Sequence, residues 1–352
     1  MDRPRRDLTA VFDGHNDALG ELQKAGDPPE RFLTGLPERH VDLPRARAGG
    51  LAGGLFAISP ASPPASVIAG DAGWEIPYAD PVDHPQAAAF AVAAVGRAHA
   101  LEAASDGAIA IARSAAELDG CRAAGTLAIV LHLEGAEPID TDLAALDAWC
   151  AAGVRSIGLV WSRPSAFGHG VPFRFPSSPD VGPGLSAAGL ALVRRCAQLG
   201  IVVDVSHLNA AGFADVARTG AAPIVASHSA CHALCPASRN LTDEQLREIA
   251  RTGGLVGIVF AVPFIRADGH NDPDTPLATL VAHLRHAVEV AGVDHVALGS
   301  DFDGATMPAA IGDVAGLPRL IDALRDDGFA SGDVEAIAWG NWRRVLALSW
   351  RG

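Results

Sequence analysis

The stretch AVFDGHND, residues 10–17, runs from an apolar strand pattern straight into Asp-Gly-His-Asn-Asp. Val11 and Phe12 suit a pleated, half-buried backbone, whereas Asp, Gly and Asn are turn formers. Two readings of the segment stand side by side. It is a polar turn after a strand, or it carries a His-x-Asp pair, His15 and Asp17, placed on one face because extended residues alternate with period two. The rest of the chain has to decide.

Seven more short apolar runs follow it: GGLFAIS (53–59), LAIVLHLE (127–134), VRSIGLVW (154–161), IVVDVSH (201–207), PIVASHS (223–229), GLVGIVF (254–260) and HVALGSD (295–301). Several are almost continuously apolar, as expected of parallel strands covered on both faces. Between them lie Ala- and Leu-rich stretches with helical spacing, among them HPQAAAFAVAAVGRAHALEAA, SAAGLALVRRCAQLG and PLATLVAHLRHAVEVAG. Strand–helix alternation on this count predicts an α/β fold, a (β/α)8 TIM barrel occupying residues 1–352 as a single domain. No solenoid repeat and no linker divides the chain. Two loops are unusually long, residues 60–85 after the second strand and 162–185 after the fourth, and read either as lids over a site or as surface insertions.

Composition narrows the partners. Apolar residues are 49% and charged residues 19% of the 352-residue chain, an ordinary globular balance. A formal net charge of -14 argues against nucleic acid, whose phosphates need clustered Lys and Arg. The odd set Cys121, Cys150, Cys196, Cys231 and Cys235 reads as buried thiols in a reducing compartment, and Cys231 and Cys235 around His232 lack the second pair that a metal knuckle requires. The basic N-terminus carries no apolar h-region, and no apolar run is long enough to span a bilayer, so a cytoplasmic protein without a membrane partner is expected.

In such a barrel the site lies at the C-terminal ends of the strands. There the ionisable residues coincide: His15 and Asp17 after strand one, Glu134 after strand three, His207 after five, His228 after six, Asp301 and Asp303 after eight. Each alone has a plain structural explanation as a hydrogen-bonded core histidine or a helix cap. Together, three histidines with Asp17 and Glu134 suit two divalent first-row metals, zinc foremost and others left open. Five ligands exceed one tetrahedral site, whereas one bridging carboxylate gives each metal three protein ligands and an open position. Asp301, outside that count, is then the candidate to orient the attacking water and pass on its proton.

The stretches DGHND, HVDLPRARAGG, LHLEGAE, VVDVSHLN, PIVASHSACHALCPASRNLTD, GSDFDG and WGNWRRV, spanning residues 11–347, resemble the renal, or membrane, dipeptidases, a branch of the amidohydrolase-like metallopeptidases. The resemblance implies one (β/α)8 barrel holding two zinc ions, with His15 and Asp17 on one, His207 and His228 on the other, and Glu134 bridging. It makes Asp301 the general acid/base and Arg239 the partner of the substrate's C-terminal carboxylate, a pairing that guanidinium geometry suits. Without the resemblance Arg239 reads as a surface salt bridge. It also implies attack by a bridging hydroxide on dipeptides, many with a D-residue on the C-terminal side, and a homodimer.

The chain departs from that pattern in its substrate-facing residues. Many relatives carry a histidine at the end of strand four, where this chain has Trp161, and His169 in the same loop is the candidate to reach back in its place. A tyrosine that some relatives present after strand seven is Phe264 here. With Phe167, Phe173 and Phe175 these residues either line a more apolar pocket or pin the loop to the barrel. Two other functions compete with the dipeptidase: hydrolysis of another amide, such as an N-acyl amino acid or a lactam, and a non-catalytic metal-binding barrel.

Overall fold

The computed structural model describes residues 8–350 apart from 61, 63–65, 71 and 72; the basic N-terminal residues 1–7 lie outside that description. Eight parallel strands follow one another around a single sheet: β1 (Val11–Asn16), β2 (Leu51–Ile58), β3 (Leu127–Glu134), β4 (Val154–Gly158), β5 (Val202–Asp204), β6 (Val225–Ser229), β7 (Leu255–Ile258) and β8 (Val296–Leu298). The ring closes between its first and last members through a parallel bridge of Asn16 with Phe302, the Asp301 N–H donating to the His15 carbonyl at 2.9 Å and the Asp17 N–H to the Phe302 carbonyl at 2.8 Å. This is the expected (β/α)8 barrel. A ninth short strand, Ile109–Ile111, pairs beside β3 and was not anticipated from the sequence.

The helical patterns form where the spacing placed them, over His84–Ala104, Ala187–Leu199 and Leu277–Ala291. The middle one shows why: the Ser186 hydroxyl caps its start by accepting from the Gly189 N–H, and Gly200, at φ +72°, ends it in the left-handed conformation. Strands end earlier than their apolar runs. β5 stops at Asp204 because that carboxylate takes the N–H groups of Ser206 (3.0 Å) and Ser227 (2.8 Å), so side chain replaces ladder.

At its lower end the barrel is sealed by the C-terminal helix Asn341–Ser349, whose Trp342 lies fully buried with its ring 5.4 Å from that of Phe12. Among the described residues no helix is long and apolar enough to cross a membrane. All five cysteines are free, and burial pushes the Cys231 and Cys235 thiols up to about 12, as inert core residues.

The two long loops are not structureless. Ile68–Gly70 and Gly73–Ile76 from the first and Phe173–Phe175 from the second make a three-stranded antiparallel sheet, with Trp74 opposite Phe175 and Ile76 opposite Phe173. Each loop supplies the other's strand partner, so neither shows the pattern by itself.

Candidate active site

DGHND is built differently from a simple alternating strand end. The register of β1 against β2 shifts between Asp13 and Asn16, and the strand stops at Asn16, so Asp17 is already the residue before the helix Ala18–Ala25. This irregularity re-aims the side chains. His15 and Asp17 do meet, Nε2 to carboxylate at 3.6 Å, but through a bulge and a turn and not through period two alone. Gly14 is required there, because a Cβ would run into the Ser227 carbonyl and the Trp342 ring. Asp13, unassigned from the sequence, is buried and accepts from the Ser300 N–H and hydroxyl, both at 2.7 Å, sewing β1 to the end of β8.

Around this seam the predicted ligands converge. One oxygen of Glu134 is approached by three imidazole Nε2 atoms, from His207 at 3.0 Å, His228 at 3.5 Å and His15 at 3.6 Å. The His207 and His228 Nε2 atoms stand 3.1 Å apart. Two ligand groups, His15/Asp17/Glu134 and Glu134/His207/His228, share Glu134, and a third joins His15 and His228 to Asp301. All of these residues are buried except Asp301, which is partly open to the cleft. Neither ring nitrogen of His15 has a hydrogen-bond partner although the residue is wholly buried. Unsatisfied imidazole nitrogens and carboxylate oxygens converging on one point fit a divalent cation pair, because such donors buried without a cation leave their lone pairs unmet.

Three histidines so close cannot all be charged. Burial pulls His207 down to about 4, with Arg239 adding to it, and carries His228 well below its ordinary value with help from His15 and Arg239. Burial also opposes a charge on His15, but Glu134 and Asp17 overcome it and lift that ring to about 10. Glu134, raised by burial, is brought below the usual carboxylate range by His15 and His207. Two neutral imidazoles and an ionised carboxylate are the protonation states that metal binding requires. Asp301 goes the other way, raised well above the carboxylate range by burial and by Asp17.

The rings are also held from behind. The Ser227 hydroxyl donates to Asp204 at 2.5 Å and lies 2.8 Å from His228 Nδ1, so it accepts there and leaves Nε2 free for the centre. The Ser162 hydroxyl lies 2.8 Å from His207 Nδ1. Neither serine was singled out from the sequence, where a Ser beside a ligand His carries no distinct signal. His207, Asp301 and Asp303 adopt φ of +68°, +68° and +67°, left-handed backbone at three rim positions. Gly304 lets Asp17 and Asp301 approach, since a Cβ would collide with both carboxylates.

Above this floor opens a cleft of about 1050 Å³, whose lining includes Glu134, His207, His228, Asp301, Arg239 and Trp161. Arg239 is not a surface salt bridge. It is 4% exposed, its Nη1 donating to the Ser229 hydroxyl at 2.8 Å and its Nη2 to the His228 carbonyl at 2.6 Å, and among the described residues it has no ion-pair partner. Burial lowers it to about 10. Phe264 and Phe173 also line the cleft, whereas His169 sits half-buried in a bridge with Pro164 and is not among the lining residues. Phe167 and Phe175 are buried and pin the loop, so only part of the loop's aromatic set faces the cavity.

Comparison with known proteins agrees with this geometry. The profile of the membrane dipeptidases, peptidase family M19, matches residues 6–348. A Klebsiella pneumoniae protein from the region 5′ of pqqA is 50% identical over 247 residues, 70% of this chain and 91% of that one. The solved structure of a metallopeptidase dipeptidase of family M19 superposes with a TM-score of 0.93 at 45% identity, covering 98% of this chain and 99% of the other. A metallopeptidase from Rhodobacter sphaeroides, solved with a phosphinate mimic of the dipeptide L-Ala-D-Ala, superposes at 0.92 with 43% identity, covering 98% and 100%. The chain belongs to the membrane dipeptidase family of metallopeptidases, peptidase family M19.

Proposed function

We propose that this cleft hydrolyses the amide bond of dipeptides, accepting a D-residue on the C-terminal side, with two zinc ions as its cofactor. The observation that carries the reading is Arg239: a guanidinium buried beside the ligand cluster, with hydroxyl and carbonyl partners but no carboxylate. Asp301, Asp204 and Glu134 act on it only through space, and two of its five N–H donors are spoken for, so the rest of the fork is left for a substrate carboxylate. The Rhodobacter sphaeroides relative, which binds an L-Ala-D-Ala mimic, supports the same ligand class and the D-residue.

His15 and Asp17 would hold one cation, His207 and His228 the other, and Glu134 both. Bound there, the pair supplies Lewis-acid polarisation of the scissile carbonyl and a nucleophilic water near neutral pH. The chain's own residues do the remainder. Arg239 fixes the carboxylate end, so that the scissile amide rests over the floor in one orientation. Asp301, at the edge of the cluster with a raised proton affinity, takes the proton released by the attacking water and delivers it to the departing amine nitrogen. Water adds across the C–N bond, leaving a carboxylate and an amine. A cytoplasmic setting accompanies this reading, supported by five free thiols.

The test is metal analysis of the purified chain followed by initial rates on L,L and L,D dipeptides and N-acyl amino acids. About two metals per chain with cleavage of dipeptides is expected. Two metals with cleavage of N-acyl amino acids alone would move the substrate to the other amide class.

A further inference from the structure

The cleft has one wall that the hydrolytic reading does not use. Trp74, Phe264, Phe173 and Trp161 all line it. Their rings form an unbroken run: Trp74 to Phe264 at 6.3 Å, Phe264 to Phe173 at 5.5 Å, and Phe173 to Trp161 at 5.4 Å in an edge-to-face contact of 86°. The run ends against the floor, with the Trp161 ring 5.9 Å and the Phe173 ring 6.0 Å from that of His207.

The wall is fixed. Trp161 has the Arg163 guanidinium 5.3 Å from its centroid, and Arg163, wholly buried, is itself held by Glu137 at 2.6 Å and by the Ser62 hydroxyl. Trp74 donates its indole N–H to the Gly269 carbonyl at 2.7 Å, so towards the cleft it offers only carbon. The antiparallel sheet ties the loops carrying Trp74 and Phe173 together through the pairing of Ile76 with Phe173. These rings differ from Phe167 and Phe175, which the same loop buries and which serve as anchors. Trp74, Phe173 and Trp161 are half-buried and Phe264 is buried, but all four line the cavity, and apolar surface facing a small-molecule cleft fits an apolar group on the ligand.

We propose that the site selects dipeptides in which the residue lying against this wall carries a bulky apolar, and preferentially aromatic, side chain. The inference rests on the dipeptidase reading and narrows it from dipeptides at large to one side-chain class. Trp161 is the main determinant. Its ring is clamped on one side and stands next to a ligand histidine, and among the described residues its N–H has no hydrogen-bond partner, which leaves a donor at the edge of the apolar surface. Phe264 contributes ring and no hydroxyl, so at that position the wall offers a polar side chain no partner.

The experiment compares kcat/KM of the zinc-loaded enzyme on two series, L-Xaa-D-Ala and L-Ala-D-Xaa, with Xaa as Ala, Ser, Leu and Phe, for wild type, Trp161→Ala and Phe167→Leu. Burying one large apolar side chain is worth about ten- to a hundred-fold, so Phe should exceed Ala by that factor in at least one series. Trp161→Ala should collapse the ratio to within about three-fold, and Phe167→Leu, an anchor outside the cleft, should leave it unchanged. A flat profile, or a Phe preference that survives Trp161→Ala, overturns the inference and leaves the dipeptidase reading intact. Failure to cleave any dipeptide overturns the underlying reading and the inference with it.

Discussion

The floor and the wall of the cleft are made by different parts of the fold. The floor is charged and buried, and its residues come from the ends of barrel strands or the turns directly after them: His15 from β1, Glu134 from β3, His228 from β6. The wall is aromatic and comes from the loops after β2, β4 and β7. Strand ends are held by the ladder, which gives a site at the rim a fixed geometry. Loops vary without disturbing that geometry, so specificity changes there first. The two residues that the sequence sets apart from the resemblance, Trp161 and Phe264, lie in the wall, while His15, Asp17, Glu134, His207 and His228 converge in the floor.

If floor and wall are separable, changes in each should fail differently. The largest expected effect after loss of the acid itself is at Arg239, which reaches from the floor to the substrate. Arg239→Met should lower kcat/KM by about 10²- to 10³-fold, chiefly through KM, since truncating one member of a buried charge pair costs on the order of 2–5 kcal/mol. Steady-state kinetics on a dipeptide and its C-terminal amide check it: wild type should discriminate between them and the variant should not.

A smaller effect is expected behind the floor. Ser227→Ala removes the hydroxyl that joins Asp204 to His228 and should weaken binding of the cation held by His207 and His228 by about 10- to 100-fold. Calorimetric titration of the chelator-stripped protein with zinc should show one weakened and one unchanged step, and Ser227→Thr, which keeps the hydroxyl, should restore the first. Equal weakening of both steps would mean that the relay serves the barrel as a whole.

In the wall, Trp161→His should lower the preference for bulky apolar residues by about ten-fold, with metal content unchanged. A change in metal content would show that wall and floor are coupled through the Trp161–His207 contact.

Least at neutral pH is the effect of acid on the metal-free protein. Burial holds His132 and His283 down at about 4, so between pH 6.5 and about 4 the unfolded chain binds protons that the folded chain refuses. The stability these two rings contribute is therefore fully present above 6.5 and is lost as pH falls through that window. Urea denaturation of the stripped protein at pH 7.5, 6 and 5 should show falling midpoints, and His283→Asn should flatten the decline.

The floor was legible because its residues are chemically distinctive and because parallel strands announce themselves as apolar runs that all end at one rim. His15, Asp17, Glu134, His207, His228 and Asp301 lie together as the sequence reading placed them. The route was less legible. Strand alternation suggested the His15 and Asp17 pairing, and the structure makes it with a bulge, which depends on how β1 packs against Trp342 and Ser227. Arg239 was placed in the site only through the resemblance and otherwise read as a surface salt bridge; it is buried, since burial of one cation is decided by the fold around it. The supporting serines and Trp74 were invisible: Ser227 and Ser162 act through neighbours distant in sequence, and the sheet carrying Trp74 exists only when two loops meet.

The proposed dipeptidase chemistry depends on Asp301 as its proton carrier, and Asp301→Asn tests this most directly, with metal content and dipeptide hydrolysis measured on the same preparations. The prediction is about two metals per chain in wild type and variant alike, and a fall in kcat of about 10²- to 10⁴-fold in the variant. A variant that keeps its metals and cleaves dipeptides at the wild-type rate would contradict it.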